Sequence, residues 1–399
     1  MKVNGPPKGS GRALLVLATI ALLAPIAAGS FSRAVASSDD KPDSFYREFS
    51  VFTEVLEHIR KRYVEETSLE SLFSGAFDGA VDALDPMATY VPAESVEAYR
   101  SALSQAFERS GLRLVRDRGF LFVVGVAPAS PGHDAGLESG DILSKLNGRS
   151  TRLTPLWEAQ MTLGGEPGAV VTAEVLRQGR MEEFEVTLGE FESAEAEAEM
   201  RDGVALIRIG RFEPGLVGRL ETYLAGSEIA ASGKLVLDLR NTAGGDAATA
   251  LAAADLFVDG ALGELRERSI VIESFTSSRP RIWDGQVVLI TDRGSQGASE
   301  IFAAALQQGA GAAIVGGGTF GHAGRSSSRS LSTGGELFYT DAFYAAPDGT
   351  VLREPLVPDV RVTARVRRLV DAEKALEDLV LERAIEVAKE PEAAVKKAA

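Results

Sequence analysis

The sequence contains no cysteine among its 399 residues. That absence excludes disulfide bridges, thiolate metal sites, iron–sulfur clusters and cysteine nucleophiles together. The three histidines, His58, His133 and His322, lie far apart in sequence, which argues against a histidine-rich zinc site. Lysine is also missing from residue 235 to residue 373, so that stretch offers no lysine side chain for chemistry. We therefore expect neither a metal ion nor another cofactor.

The chain has little positive charge for its size. Acidic residues outnumber basic ones, 57 against 42, which gives a formal net charge of −15. Because proteins that bind nucleic acids present a basic face to the phosphates, this charge argues against a nucleic acid as the partner. Hydrophobic residues at 45% and charged residues at 25% are typical of globular proteins. The length predicts two or three domains.

The N-terminus has the pattern of an export signal. Three basic side chains precede an uncharged, apolar run at residues 13–28. As a helix this run spans about 24 Å, less than the ~30 Å hydrocarbon core of a membrane, which favours a signal peptide. Ala34-Val35-Ala36 fits a cleavage site, although it lies rather far past the apolar run. Two alternatives remain open: cleavage, or retention of residues 13–28 as a single anchor in the inner membrane. Either one predicts an exported, periplasmic or extracytoplasmic protein that contacts the membrane only through this segment.

Composition and periodicity divide the chain into five parts, of which the N-terminal signal or anchor at residues 1–36 is the first. Residues 37–105 show helical spacing of apolar side chains, and residues 106–190 show short strands separated by turns. Strands then alternate with helices over residues 191–365, as in an α/β core. Within that part, residues 193–199 are predicted to form a charged, alanine-rich connector. The last part, residues 366–399, is predicted to be a helix and a tail. The predicted fold class is therefore multidomain α+β, with a helical lead, a β-rich module and an α/β core.

The β-rich module carries a set of turn and strand motifs at fixed spacings. In order they are Val123-Val124-Gly125-Val126, Ser130-Pro131, Ala135-Gly136-Leu137-Glu138-Ser139-Gly140-Asp141-Ile142-Leu143 and Asn147-Gly148. Asp141 is expected to accept hydrogen bonds from backbone amides at its turn. The module resembles a PDZ domain. The resemblance implies a groove in which the C-terminus of a peptide adds as an extra strand and backbone amides hold its carboxylate.

The predicted carboxylate-binding loop of this module is Ser110-Gly111-Leu112-Arg113. Arg109 precedes the loop at a position where the PDZ family usually has a glycine. Two consequences of Arg109 stay open: it adds attraction for a carboxylate, or it blocks the groove. A blocked groove would make the module a spacer without a ligand.

The rest of the chain resembles the carboxy-terminal processing (tail-specific) serine peptidases, which carry a PDZ domain beside an α/β catalytic core. The motifs that support the resemblance are Leu84-Asp85-Pro86-Met87-Ala88-Thr89-Tyr90, Leu237-Asp238-Leu239-Arg240-Asn241-Thr242-Ala243-Gly244-Gly245, Gly294 to Glu300, Thr319-Phe320-Gly321 and Pro358-Asp359-Val360. Such peptidases use a serine nucleophile and a lysine general base. The resemblance therefore implies the fold of these peptidases. It implies their activity only if the serine and the lysine are present.

The chemical positions of the family are all replaced in this chain. The nucleophile position is Gly297, the base position is His322, and the position of an assisting glutamine is Ser326. Gly244 and Gly245 would be the remnant of the oxyanion hole, whose backbone amides persist whatever the side chains are. Gly297 is expected to start the helix that follows it, with the side chain of Glu300 bonding back to its amide.

Three hypotheses follow from these replacements. The first is a non-catalytic homologue that binds protein C-termini or extended peptides as an adaptor or regulator, with an active homologous peptidase as a further candidate partner. The second is a divergent serine peptidase in which Ser295 or Ser299 acts with His322. A shift of two residues along an extended chain is ~6.6 Å, whereas nucleophile and base must approach within ~3.2 Å, so the second requires a local rearrangement. The third is a structural scaffold whose groove is vestigial.

Overall fold

The computed structural model describes residues 42–192, 196–362 and 378–390. The predicted signal or anchor at residues 1–36 lies outside the described residues, as does most of the C-terminal part. The chain divides into two compact units, with the boundary between Phe73 and Ser74. Among the described helices, none combines the length and the apolar character that crossing a membrane requires. The boundaries predicted for the five parts of the chain stay a prediction.

The predicted N-terminal helices are present. Helix α1 spans Pro42–Arg62 and helix α2 spans Leu69–Asp82. Three basic residues occupy the last turn of α1, where a positive charge is favourable beside the unpaired carbonyl groups of a helix end. A short strand, β1 (Thr89–Val91), follows α2.

The PDZ-like module forms one antiparallel sheet with two longer helices. Its elements in chain order are α3 (Val96–Ser110), β2 (Leu112–Asp117), β3 (Phe120–Val126), α4 (Pro131–Asp134), β4 (Ile142–Leu146), β5 (Arg149–Ser150), α5 (Leu156–Leu163), β6 (Val170–Arg177) and β7 (Arg180–Thr187). The sheet order is β2-β3-β4-β6-β7, and β5 pairs with β4. At the turn before β4, the Asp141 carboxylate accepts a hydrogen bond of 2.9 Å from the Glu138 amide, as predicted, and one of 2.7 Å from Arg177 Nε.

The α/β core is a six-stranded sheet with helices on both faces. Its elements are β8 (Ala196–Arg201), β9 (Val204–Ile209), α6 (Leu216–Leu224), α7 (Ser227–Ser232), β10 (Lys234–Asp238), α8 (Ala247–Ala254), β13 (Gln286–Thr291), α9 (Ala298–Gly309), β14 (Ala313–Gly316), β17 (Val360–Arg361) and α10 (Leu379–Lys389). The strand order is β17-β14-β13-β10-β9-β8, and only β8 runs antiparallel to its neighbour.

Burial on both faces explains the continuous apolar strands of this core. Leu235 and Leu237 point to a cluster that contains Phe302 of α9, and Val236 between them points to a second cluster with Ile385 of α10. A parallel sheet covered on both faces requires such uninterrupted apolar runs. The fold prediction is confirmed at this level, although the predicted connector at residues 193–199 is wrong from residue 196 onward, because Ala196 begins strand β8.

A second sheet lies beside the core and carries part of the candidate site. It consists of β11 (Ala261–Glu267), β12 (Ile270–Thr276), β15 (Gly324–Ser330) and β16 (Glu336–Ala345), joined by β1. The order is β1-β16-β11-β12, with β15 also paired to β16. Strands β15 and β16 form a hairpin that follows the Thr319–His322 loop, and Thr340 of β16 lies beside His322.

Candidate active site

Gly297 occupies a sharp turn between strand β13 and helix α9. Its backbone angles are φ 64° and ψ −109°, and a Cβ atom built there would have no neighbour within 4 Å. This conformation is strained for any residue with a side chain. A strand–turn–helix of this kind exposes the nucleophile of α/β-hydrolases to the substrate cleft. The turn therefore has the geometry of a nucleophile elbow, with open space where the nucleophilic side chain would stand.

Glu300 connects this elbow to the loop that carries His322. Its carboxylate accepts hydrogen bonds from the backbone amides of Gly297 at 3.0 Å, Gly321 at 2.6 Å and His322 at 3.0 Å, and from Thr319 Oγ1 at 2.6 Å. The residue is 1% exposed, and burial raises its pKa although the four donors act in the opposite direction. The predicted bond from Glu300 back to the start of its helix is confirmed.

His322 is held in a buried network rather than in an open loop. It is 8% exposed, and its Nε2 lies 3.1 Å from Thr340 Oγ1 and 3.9 Å from Asp85 Oδ1. Asp85 also accepts from the Thr340 amide at 3.1 Å and from the Met87 amide at 2.8 Å. Burial lowers the pKa of His322, and the charge of Asp85 opposes that shift. The imidazole is therefore mainly neutral at pH 7, and its neighbours fix its position.

Both serines that flank the elbow use their hydroxyl groups for internal hydrogen bonds. Ser295 Oγ donates to the Leu239 carbonyl at 2.8 Å, and Ser299 Oγ donates to the Thr242 carbonyl at 2.9 Å. Both residues are 0% exposed. Each hydroxyl proton therefore already has a backbone acceptor, and neither serine is presented to a cleft.

Ser326 is placed near His322 by the β15–β16 hairpin. It is exposed and pairs in register with Thr340, the residue whose hydroxyl lies beside His322. Thr340 is thus a neighbour of both the base position and the assisting position of the family. Sequence reasoning missed Thr340, and no local pattern marks it. Asp85 belongs to the motif at residues 84–90, but nothing in the sequence signalled its contact with His322.

The predicted remnant of the oxyanion hole, Gly244 and Gly245, is hydrogen-bonded to the elbow loop. The Gly244 amide donates to the Gln296 carbonyl at 3.3 Å, and the Gln296 amide donates to the Thr242 carbonyl at the same distance. Gly244 and Gly245 have φ values of 83° and 102°, and a Cβ atom on Gly245 would lie 2.9 Å from the Phe212 carbonyl oxygen. Only glycine suits this position. The Gly244 amide of the remnant therefore already donates its hydrogen bond to the Gln296 carbonyl.

The predicted carboxylate-binding loop is closed by its own hydrogen bonds. The Gly111 amide donates to the Phe107 carbonyl at 2.7 Å, and the Leu112 amide donates to Ser110 Oγ at 3.1 Å. Arg109 Nη1 donates to the carbonyl groups of Gly164, at 3.0 Å, and of Gly165. The guanidinium thus ties the loop to the end of helix α5. Binding of a peptide carboxylate by this loop stays a prediction, and it requires these bonds to open.

Arg113, the last residue of that loop, reaches the core. Its guanidinium carbon lies 4.4 Å from the ring centre of Phe107, and Nη2 lies 2.8 Å from where a Cβ atom of Gly244 would be. Its buried Nε has no hydrogen-bond partner. Burial, together with the charge of Arg211, lowers the pKa of Arg113 to about 10. The side chain therefore covers the oxyanion-hole remnant.

A cavity of about 290 Å³ lies between the PDZ-like module and the core. Val115, Phe122 and Val124 line one wall, and Phe320 and His322 line the other. The volume is near the lower limit for ligand pockets and suits one or two residues of an extended chain. The base position of the family and the first strands of the PDZ-like module therefore line the same cavity.

Together, the antiparallel PDZ-like module, the doubly covered core sheet and the elbow define a serine-peptidase fold. Residues 203–362 match the family model described as peptidase family S41, and residues 122–177 match the model of a PDZ domain. The core and the module of this chain thus match the S41 serine peptidases and the PDZ domains respectively, and the resemblance predicted from the sequence is confirmed.

Curated relatives show the same resemblance. The chain is 26% identical over 315 residues to a probable CtpA-like serine protease of Staphylococcus epidermidis, a match that covers 77% of this chain and 64% of the relative. A protein with the same description from Staphylococcus saprophyticus is 24% identical over 355 residues, covering 88% of this chain and 71% of the relative. The chain thus spans about two thirds of the length of these relatives.

Solved structures support the fold. A photosystem II D1 C-terminal processing protease superposes with a TM-score of 0.66 over 77% of this chain and 86% of that protein. The two are 19% identical, so the likeness shows the fold alone.

Proposed function

We propose that this protein is a non-catalytic S41 homologue that binds extended protein segments, C-termini included, as an adaptor or regulator outside the cytoplasm. One observation carries the proposal: the elbow keeps its strained geometry, but Gly297 has no side chain to attack a carbonyl. Loss of the nucleophile in a serine peptidase costs ~10⁶ in turnover, and further losses add little.

The surroundings of Gly297 support the same conclusion. Ser295 and Ser299 donate their protons to backbone carbonyl groups, so a divergent Ser–His pair would first have to break a buried hydrogen bond. His322 faces Thr340 and Asp85, not a serine of the elbow loop. The second hypothesis, an active peptidase using either serine, is therefore the less favoured alternative.

The binding part of the proposal rests on the cavity between the module and the core. Its walls combine apolar side chains with the first strands of a PDZ-like sheet, the combination by which sheet edges and pockets recognise extended peptides. The residue pair Phe122 and Phe320 supplies an aromatic group from each side. An active homologous peptidase that presents its own segments is a further partner of this proposal.

Titration of a fluorescently labelled, unfolded polypeptide with an apolar C-terminus into the full-length protein tests this proposal. We expect saturable binding, and an unchanged mass of the labelled chain afterwards. Phe320→Ala removes one apolar wall and should weaken binding about tenfold, the loss expected for one aromatic contact. Phe275→Ala, which changes a partly buried phenylalanine of strand β12 outside the cavity, is the matched control. No binding by the wild type, or equal binding by the two variants, would contradict the proposal.

A further inference from the structure

The cavity between the PDZ-like module and the core has two cationic side chains on its core wall. Arg293 follows strand β13 in the elbow loop, and Arg353 follows strand β16. In residues 42–192, 196–362 and 378–390, neither guanidinium has a carboxylate within 4.0 Å. Two arginines of the second sheet, by contrast, do have partners: Arg325 of β15 pairs with Asp341 at 2.8 Å, and Arg266 of β11 pairs with Glu264 at 2.7 Å.

The other charged groups around the cavity do not neutralise this pair. Asp117 lines the opposite wall, and its carboxylate lies 3.8 Å from the guanidinium of Arg118. His322 also lines the cavity, and burial lowers its pKa. Asp85, whose Oδ1 lies 3.9 Å from His322 Nε2, does not line the cavity. The cavity therefore presents two arginines against one carboxylate, within a chain whose formal net charge is −15.

The rest of the lining indicates which anion fits. Val115, Phe122 and Phe320 are apolar, so the lining suits a ligand with an apolar stem next to its charge. Val124 is the extra residue of a β-bulge between β2 and β3. Its carbonyl oxygen accepts a hydrogen bond of 2.8 Å from Ser139 Oγ. Bulges of this kind redirect a strand beside a binding site. Guanidinium groups bind carboxylates with charge-assisted hydrogen bonds, which are stronger than neutral ones.

We propose that Arg293 and Arg353 form an anion-binding pocket for a carboxylate carried by the bound protein segment. The carboxylate is either the C-terminal group of an apolar residue or the side chain of a glutamate or aspartate. This inference rests on the proposed function, because it specifies the ligand of the same cavity. It differs from capture by the loop at residues 110–113, in which the Gly111 and Leu112 amides already donate hydrogen bonds within the protein.

Three labelled peptides with one apolar sequence distinguish the sources of the carboxylate. The first has a free C-terminus and no acidic side chain, the second is its C-terminal amide, and the third is an amidated peptide with one glutamate. Each is titrated into the full-length protein by fluorescence anisotropy at low and high salt. We expect the neutral second peptide to bind at least tenfold more weakly than the first or the third, and whichever of these binds tightly identifies the source.

Arginine variants test the residues themselves. Arg293→Met and Arg353→Met should each weaken binding of the tight peptide about tenfold or more, and reduce its salt dependence. Arg329→Met is the matched control, because Arg329 is exposed on strand β15 and does not line the cavity. It should leave binding unchanged.

The two proposals fail in different ways. If the wild type binds all three peptides equally well and the arginine variants do the same, the anion pocket is wrong and the binding function stands. If the wild type binds none of them nor the unfolded polypeptide, both proposals are wrong.

Discussion

The carboxylate of Glu300 accepts a hydrogen bond of 3.0 Å from the backbone amide of His322. This bond joins the helix after the elbow to the loop at the family's base position. The frame of a serine-peptidase site is therefore retained, although the nucleophile position holds a glycine and the base position holds a neutral histidine. These hydrogen bonds persist although the reactive side chains are absent, as we expect of a protein that binds peptides without cleaving them.

Replacing the carboxylate of Glu300 tests how strongly the frame is held. In Glu300→Gln, an amide with one acceptor oxygen faces four donors, so at least one buried donor is left unpaired. We expect the free energy of unfolding to fall by about 2–3 kcal/mol, measured by urea denaturation at pH 7. Glu228→Gln changes an exposed glutamate on helix α7 and should cost less than ~0.5 kcal/mol. Equal losses for the two variants would show that Glu300 does not hold the frame.

Gly297 is expected to relieve backbone strain at the elbow. Gly297→Ala and Gly297→Ser should each lower the free energy of unfolding by about 1–2 kcal/mol, because φ is 64° and no steric clash adds to the strain. Gly79→Ala is the control: a Cβ atom there also meets nothing within 4 Å, but Gly79 lies within helix α2. That substitution should stabilise the protein by about 0.5–1 kcal/mol. The same effect at both glycines would contradict a strained elbow.

Asp78 on helix α2 should make stability depend on pH. Burial raises the pKa of Asp78 to about 6, and its Oδ1 has no hydrogen-bond partner. The folded protein therefore binds this proton more tightly than the unfolded chain does, so the group costs stability above pH 6 and almost none near pH 4. Asp78→Asn should raise the free energy of unfolding at pH 7 by up to about 1 kcal/mol after solvent screening is discounted, and by almost nothing at pH 4.

The control for Asp78 is one helical turn away. Asp82 accepts from Arg116 Nε at 3.1 Å, so Asp82→Asn should lower stability at pH 7. A gain from Asp78→Asn that is equal at pH 4 and pH 7 would contradict the ionisation mechanism.

Much of the fold was predictable because its signals are local or are carried by motifs with fixed spacing. Strand β13, the elbow and helix α9 follow from an apolar run, a glycine-rich turn and an alanine-rich helix. Strand β8 was missed because its glutamates lower the propensity for a strand. The alternation Ala196-Glu197-Ala198-Glu199 was the available signal, since an edge strand buries only one face.

The contacts of the site were less accessible from the sequence. The Asp85–His322 contact joins segments that are distant in the chain. An aspartate or a histidine can pair with many other residues, so the sequence alone does not identify this contact. Arg109 and Arg113 were predicted to border a peptide groove. Whether such a long side chain faces a ligand, a helix end or a glycine loop depends on packing between elements, which residue patterns do not encode.

Mass spectrometry of an unfolded protein substrate with an apolar C-terminus, after incubation with the full-length protein, tests the claim that the protein is non-catalytic. We expect no product from the wild type, while the same preparation binds the substrate. Ser295→Ala and Ser299→Ala are run in parallel, with circular dichroism to confirm that they fold. Cleavage by wild type that either folded variant abolishes would contradict the claim and establish the divergent peptidase instead.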